Sequence, residues 1–387
     1  ANFTPMTART LDAIPPYVFY ELDARRAAAR ASGKTLIDVG IVSPDGRIRE
    51  VVVEALQRAA ADRALSGYPH FRAHPQYAAA VQGYLASRFG VHLDPVQEVL
   101  ALAGSKEGIA ELIQSQVNPG DVVLVPEVYY PVYARAAMLA GAEPVFVPFL
   151  ADGRLDLEAI DAAHVARAKV MIVNYPGNPT TTAVSLDELA RYVAFAERHG
   201  VLLLSDLAYS ELSFDGFAVP SVLQVPGAHR VAVETHTCSK SFNMAGVRIA
   251  FMAGKREAIT RLDAYRSNIG YGVSTLAQLA GTAAFLHHAT LVPPIVAEYR
   301  SRRDAIVAAF RRGGWPVEAP RATMYLWLDV PAGLSDWEWV DTLLRGPGVV
   351  VTPGIAFGAA GRGKFRVSLV QAADTLVRAA EGIVAAG

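Results

Sequence analysis

The amino-acid sequence predicts an α/β fold, with a large domain on a mostly parallel sheet and a smaller α+β domain beside it. Three observations lead there. The middle of the chain alternates short β-rich runs with helical patterns, and several of those runs are apolar throughout, as strands covered on both faces are. The last third abandons that alternation for a mixed order. In chain order the pattern predicts strands at 98–103, 122–125, 144–147, 169–174, 201–205, 231–236 and 249–253. Helices are expected between them at 106–117, 131–140, 186–199 and 255–265. A long helix at 293–312 follows, carrying the charged cluster from Tyr299 to Asp304. Short strands come next near 324–328, 349–352 and 365–369, with a closing helix from about Ala372. The first 49 residues are rich in turns and are expected to pack with the smaller unit. The division expected is therefore 50–286 for the large domain, and 1–49 with 287–387 for the small one.

A chain of 387 residues is too long for one small core, and two domains suit it. Hydrophobic residues make up 52% and charged residues 19%, the balance of a well-buried globule. A net charge of −1 gives no electrostatic case for nucleic acid or an anionic membrane as partner. The single cysteine, Cys238, excludes an intrachain disulfide framework and a cysteine-based zinc site, which fits a reducing cytoplasm. No signal-peptide stretch follows the N-terminal Ala1-Asn2-Phe3-Thr4-Pro5. The richest apolar region, 122–150, is broken by Glu127, Arg135 and Glu143, so no membrane span is expected.

The chemistry gathers around Lys240, in Thr237-Cys238-Ser239-Lys240-Ser241-Phe242-Asn243-Met244-Ala245-Gly246-Val247-Arg248. Asn178-Pro179-Thr180 and Ser205-Asp206-Leu207-Ala208-Tyr209 stand upstream. A lone lysine reads as a solvated surface residue. An ordered set that offers an amine for an aldehyde, an acid for a pyridinium nitrogen, and donors for a phenolate and a phosphate is the protein's half of a pyridoxal 5'-phosphate site. Lys240 follows a β-run and precedes a turn-like stretch, which aims its amine into a cleft at strand ends. Asp206 ends an apolar run and is costly there unless paired. A protonated pyridine nitrogen would pair it, and a helix N-cap is the plainer alternative. Tyr209 and Asn178 are expected to reach the phenolic oxygen of the same ring, Asn178 being otherwise a turn residue before proline.

The phosphate needs N–H groups at a helix start and a cation. Gly104-Ser105-Lys106-Glu107-Gly108 offers the first, or is a simple cap. Arg248 offers the second, or is a surface ion pair, with the Thr237 and Ser239 hydroxyls adding bonds. Arg366 lies in the apolar strand pattern Lys364-Phe365-Arg366-Val367-Ser368. Its anionic partner is either a substrate α-carboxylate or a protein carboxylate. Gly358 to Phe365 matches the glycine and lysine spacing of a nucleotide-binding loop. Phe365 stands where Ser or Thr is required, and a strand pattern follows where a helix is needed, so that motif is rejected. His287 and His288 are adjacent rather than a helical turn apart, and no metal site is expected of them.

Together these residues resemble the class I aminotransferases of pyridoxal phosphate fold type I, through nearly the whole chain. The branch that looks most similar is that of LL-diaminopimelate and bacterial alanine-type aminotransferases. Ile14-Pro15-Pro16-Tyr17-Val18-Phe19, Gly104-Ser105-Lys106-Glu107-Gly108-Ile109, Tyr130-Pro131-Val132-Tyr133 and Pro353-Gly354-Ile355-Ala356-Phe357-Gly358 carry that look beside the Lys240 motif. The resemblance implies a transaminase that moves an amino group between an L-amino acid and a 2-oxo acid, of the LL-diaminopimelate, aspartate or alanine type. It also implies a role for each residue. Lys240 binds the cofactor and shuttles the proton, and Asp206 holds the pyridine nitrogen, with Asn178 and Tyr209 on the phenolic oxygen. Tyr130 stacks on the ring. Gly104, Ser105, Lys106, Thr237, Ser239 and Arg248 line the phosphate pocket. Gly40, Asn178 and Arg366 bind the substrate, and Tyr68 reaches the phosphate of a neighbouring subunit in a homodimer.

The chain departs from the family pattern in places. Thr181 stands where a glycine usually follows Asn-Pro-Thr, Ala73 and Ala250 replace other glycines, and Val247 replaces a tryptophan. Ile41-Val42-Ser43-Pro44 lacks the second glycine after Gly40. These leave the substrate open. Arg72 and Arg266 are candidates for a distal carboxylate, with surface solvation as the alternative. Two rivals remain: a carbon–sulfur β-lyase using the same cofactor on the same fold, and a non-catalytic regulator that binds the cofactor.

Overall fold

The computed structural model describes residues 9–40 and 43–387. Of the sequence features quoted above, Ala1 to Pro5 and the pair Ile41-Val42 lie outside the described residues.

Strand β1 (Ile37–Asp38) comes first. It is followed by β2 (Val99–Leu102), β3 (Val122–Pro126), β4 (Glu143–Val147), β5 (Ala168–Val173), β6 (Leu202–Asp206), β7 (Ala232–Thr237) and β8 (Ala250–Gly254). The last seven of these form one sheet in the order β2-β8-β7-β6-β5-β3-β4. Neighbours pair in parallel except at β8, which runs antiparallel to both β2 and β7. Strands β2, β3, β6, β7 and β8 are buried at every position, because helices cover both faces. One face carries Ile109, Leu112, Tyr133, Ala136, Ile259 and Leu262; the other carries Leu189, Tyr192, Val193 and Ala196. Edge strand β4 is more open, with Phe146 exposed.

The helices end where the sequence says they should. Ser185 accepts from the Glu188 N–H to cap Leu186–His199. Acids fill its first turn, bases its last, and Gly200 closes it in the left-handed region. Pro75 starts Pro75–Phe89, and Gly90 ends it at φ 68°.

The remaining strands are β9 (Tyr325–Asp329), β10 (Val349–Val350), β11 (Thr352–Pro353) and β12 (Lys364–Ser368). They form an antiparallel trio, β11-β12-β9, and a parallel pair of β1 with β10. A second core lies here. Leu22 and Val39 pack with Ile306, Phe310, Trp339, Phe365 and Leu376, which joins the N-terminal segment to the last third as expected.

Three expectations need correction. The N-terminal segment is not mainly turns, since Val18–Ala31 is a helix of 14 residues held by Leu22 and by ion pairs from Arg25 and Arg26. The long helix begins at His288, before the two prolines: Pro293 and Pro294 sit inside it rather than at its start. The single strand expected at 349–352 is two short strands in different sheets, parted at Val351. The rejected nucleotide-loop motif does run into a strand, β12.

Leu204, fully buried on β6 between the helix layers, tests this packing. Leu204→Ala is expected to cost about 2–5 kcal/mol, read as a lower urea midpoint with an unchanged slope.

Candidate active site

The strands β2, β3, β5, β6 and β7 all point their C-terminal ends the same way, and the chain reverses its progress across the sheet between β4 and β5. Open α/β sheets bind ligands at such a place. A cavity of about 550 Å³ lies there. Gly104 to Lys106 enter it from the end of β2, Tyr130 after β3, Asn174 and Asn178 after β5, Asp206 and Tyr209 at the end of β6, and Thr237 to Lys240 at the end of β7. Gly40, Tyr325 and Arg366 close it from the other core, and Tyr17, Phe19 and Arg26 from the N-terminal helix region.

Asp206 is buried. Its Oδ2 accepts the Tyr133 hydroxyl at 2.5 Å, and its Oδ1 has no hydrogen-bond partner. Burial raises its pKa from 3.8 to about 6, against the pull of the Tyr133 hydroxyl, the His236 charge and the Ala208 backbone N–H. The backbone carbonyl of Asp206 is also held, by Asn174 Nδ2 at 2.7 Å, and Asn174 Oδ1 accepts the Asn178 N–H at 2.8 Å. Lys240 sits in the one-turn helix Cys238–Ser241, whose N-cap Thr237 accepts from the Ser239 N–H. Burial, and then the Arg366 and Arg248 charges, lower its pKa to about 7, so a large share of its amine is neutral and nucleophilic near neutrality.

Arg366 is fully buried on β12. Its Nη1 donates to Asn178 Oδ1 at 2.8 Å, and its Nη2 to the Gly40 carbonyl at 3.1 Å and Thr352 Oγ1 at 3.2 Å, while Nε has no hydrogen-bond partner. The Tyr325 and Phe357 rings flank the guanidinium at 4.4 and 4.8 Å. Among the described residues it makes no ion pair with a carboxylate, so the structural alternative for Arg366 fails and a site for an anion is left. At the far end of the cavity, Arg248 adopts φ 58° and crosses Gly104. A Cβ on Gly104, whose φ is 152°, would lie 2.2 Å from Arg248 Nη2. Arg248 also makes the exposed ion pair foreseen as its alternative, with Glu107 at 3.6 Å.

A buried carboxylate oxygen with no partner, a buried amine of lowered pKa, and an N–H-rich helix start beside an arginine fit the ring nitrogen, aldehyde and phosphate of pyridoxal phosphate. Asp206 ends a strand and a turn follows, so it caps no helix, although the Ala208 N–H draws on its carboxylate. Every residue expected to hold the cofactor or the α-carboxylate lines the cavity except Tyr68. That ring is 80% exposed, stacked on Tyr271 at 4.0 Å, and outside the cavity of its own chain.

A profile of the aminotransferase class I and II family matches residues 34–383. The chain belongs to that family. The enzyme is thus a transaminase. It is 43% identical to LL-diaminopimelate aminotransferase of Desulforudis audaxviator, across 97% of this chain and 96% of that protein. It is 38% identical to the glutamate-pyruvate aminotransferase AlaC of Escherichia coli, across 97% and 92%. Among solved structures it superposes on BacF of Bacillus subtilis with a TM-score of 0.94 at 31% identity, covering 98% of each chain.

The distal-carboxylate candidates in this aminotransferase are displaced. Arg266 is buried against the Ala101 carbonyl and Glu111, and Arg72 pairs with Asp263 and the Val96 carbonyl. Both lie outside the cavity, and neither is a solvated surface group. Sequence reasoning passed over Asn174, Tyr325 and His236 and gave Tyr133 no role. Tyr325 donates to or accepts from Tyr209 at 2.7 Å. His236 bonds Glu234 at 2.8 Å, and Glu234 also takes bonds from Ser205, Ser221 and the Val222 N–H. Two polar side chains within the apolar pattern of β7 were the signal, the same one that exposed Arg366.

Two predictions follow from these geometries. Thr181 holds φ 61°, a strained value for a β-branched residue. Thr181→Gly is expected to raise stability by about 1 kcal/mol in urea unfolding. The folded-state pKa of Asp206 lies above its ordinary value, so the unfolded chain sheds the proton first. The native state is then progressively destabilised as pH rises from about 4 to about 6. Without added cofactor, Asp206→Asn should match the parent near pH 4 and exceed it by about 3 kcal/mol at pH 7, measured by unfolding at each pH.

Proposed function

We propose that the enzyme binds pyridoxal phosphate in this cavity and transfers an amino group from an L-amino acid to a 2-oxo acid. The meeting of Asp206, Lys240 and Arg366 in one cavity carries the reading, because the carboxylate and the guanidinium are buried there with no ion pair between them or to another described residue. The bound cofactor supplies an aldehyde that condenses with amines and a ring that takes up the electron pair left by a departing α-proton.

The chain's own residues do the rest. Asp206 Oδ1 holds the ring N–H and keeps it protonated. Asn178, whose Oδ1 is committed to Arg366, has its amide N–H groups left to offer the phenolic oxygen, and Tyr209 adds its hydroxyl. Tyr130 covers one face of the ring. Ser105, Lys106, Thr237, Ser239 and Arg248 bind the phosphate. Arg366, held by the Gly40 carbonyl, places the substrate α-carboxylate, while the Gly40 N–H is given to Asp38; this fixes the α-carbon near Lys240. The Lys240 Nζ would take the α-proton and hold it as the ammonium on that face of the site.

For the substrate, the relatives named LL-diaminopimelate aminotransferase favour LL-diaminopimelate. The similarity to the Escherichia coli enzyme supports alanine as a second candidate. The relatives named above are aminotransferases, which favours transamination over β-elimination. Tyr68 and its exposed neighbours Phe71, Ile269 and Tyr271 support a homodimer in which Tyr68 completes the partner's site. The two cores support the division into 50–286 and the two flanking segments. We place the enzyme in the cytoplasm on its single, buried cysteine. Among the described residues no single helix is long and apolar enough to cross a membrane.

Lys240→Ala is expected to abolish transamination and borohydride-stable labelling by pyridoxal phosphate; ordinary turnover by that variant refutes the site. Arg366→Lys should raise KM for the amino donor roughly 10- to 100-fold, since it removes charge-assisted bonds from a fork that lysine does not reproduce. A panel of amino donors against 2-oxoglutarate and pyruvate separates the two substrate candidates.

A further inference from the structure

Asp206 has two oxygens in unlike surroundings. Oδ2 points at Tyr133, a fully buried residue of the helix Val132–Leu139 that follows β3. Oδ1 has no partner, although it is buried and belongs to a cavity-lining residue. A carboxylate without a second-layer donor can rotate and offer either oxygen, or shed its charge in so dry a place. Tyr133, bonded to Oδ2 at 2.5 Å, restricts that choice, with the Ala208 backbone N–H as a lesser donor to the same carboxylate. Its ring lies edge-on to Tyr130 at 6.0 Å, so one short helix start carries both the ring proposed to stack on the cofactor and the hydroxyl that turns the acid toward it.

We propose that Tyr133 is a positioning residue: its hydroxyl pins Oδ2 of Asp206 so that Oδ1 alone is presented, ionised, to the ring nitrogen of the cofactor. This rests on the pyridoxal phosphate reading above. The other titratable groups facing Asp206 are Tyr130 after β3, Tyr209 after β6, His236 on β7 and Tyr325 on β9. Burial pushes the tyrosines up, so they keep their protons near neutrality. His236 bonds Glu234 rather than Tyr133, so substitution of Tyr133 leaves it in place.

The test uses the full chain and two probes: pyridoxal phosphate, and its analogue with carbon in place of the ring nitrogen. Affinity is read by quenching of intrinsic fluorescence on binding, with melting temperature as the folding control. The parent should prefer the natural cofactor. Tyr133→Phe should weaken pyridoxal phosphate roughly 10- to 100-fold, the range of a hydrogen bond to a charged group, and leave the analogue unchanged. The pH below which the preference vanishes should also move upward in the variant, because loss of the donor makes Asp206 easier to protonate. If Tyr133→Phe does not fold, Tyr133→Leu carries the same comparison. Equal loss for both probes, or loss for neither, overturns the proposal. If the parent forms no reducible adduct at Lys240, the cofactor reading itself has failed. An intact adduct with an indifferent Tyr133 variant condemns only the role of Tyr133.

Discussion

A carboxylate and a guanidinium, Asp206 and Arg366, stand buried in one cavity, and neither makes an ion pair among the described residues. That is a costly arrangement, since buried charge without counter-charge opposes folding. The surrounding structure offsets it with neutral donors, carbonyls and rings: Tyr133 on Asp206; Asn178, Gly40 and Thr352 on Arg366; and Tyr325 and Phe357 beside the guanidinium. None of these neutralises the charge. On the proposed function the bound ligands supply the counter-charges, and the separation of the two charges sets where each ligand part would lie.

The fold serves that separation. Asp206 ends β6 and Lys240 follows the end of its parallel neighbour β7, whereas Arg366 belongs to the small antiparallel sheet with its own core. The cavity is the seam between them. Asn178 spans it, with its backbone N–H on Asn174 and its side chain on Arg366. One turn after β5 thus ties the acid, whose backbone carbonyl Asn174 also holds, to Arg366.

Much of this was legible in the sequence because apolar runs covered on both faces are conspicuous, and a charged residue at the end or in the middle of one has few structural explanations. That reasoning placed Asp206, Lys240 and Arg366 correctly in one cavity. It missed the supporting layer. Whether Tyr133 points at Asp206 depends on how its helix docks, and an isolated tyrosine beside Tyr130 says nothing of that. Glu234 and His236 carried the same signal as Arg366 and were passed over, because the strand around them was read only for its period. Arg72 and Arg266 misled in the opposite way. Arginine reads as solvated by default, yet both are tied down by backbone carbonyls and acids that are distant in sequence. The N-terminal helix was invisible because its apolar face is small, with Leu22 its one buried residue.

The rigidity of Arg366 has a stereochemical consequence. Its guanidinium is locked by Asn178, Gly40 and Thr352 and flanked by two rings, so a carboxylate docked on it has little freedom to swivel. With the neighbouring nitrogen directed toward Lys240, two of the four substituents on the tetrahedral carbon are fixed in space. Mirror-image substrates would then present different remaining groups to the amine, hydrogen for one hand and carbon for the other. On the proposed role of Arg366, enantiomers would be told apart before any contact with the side chain is made.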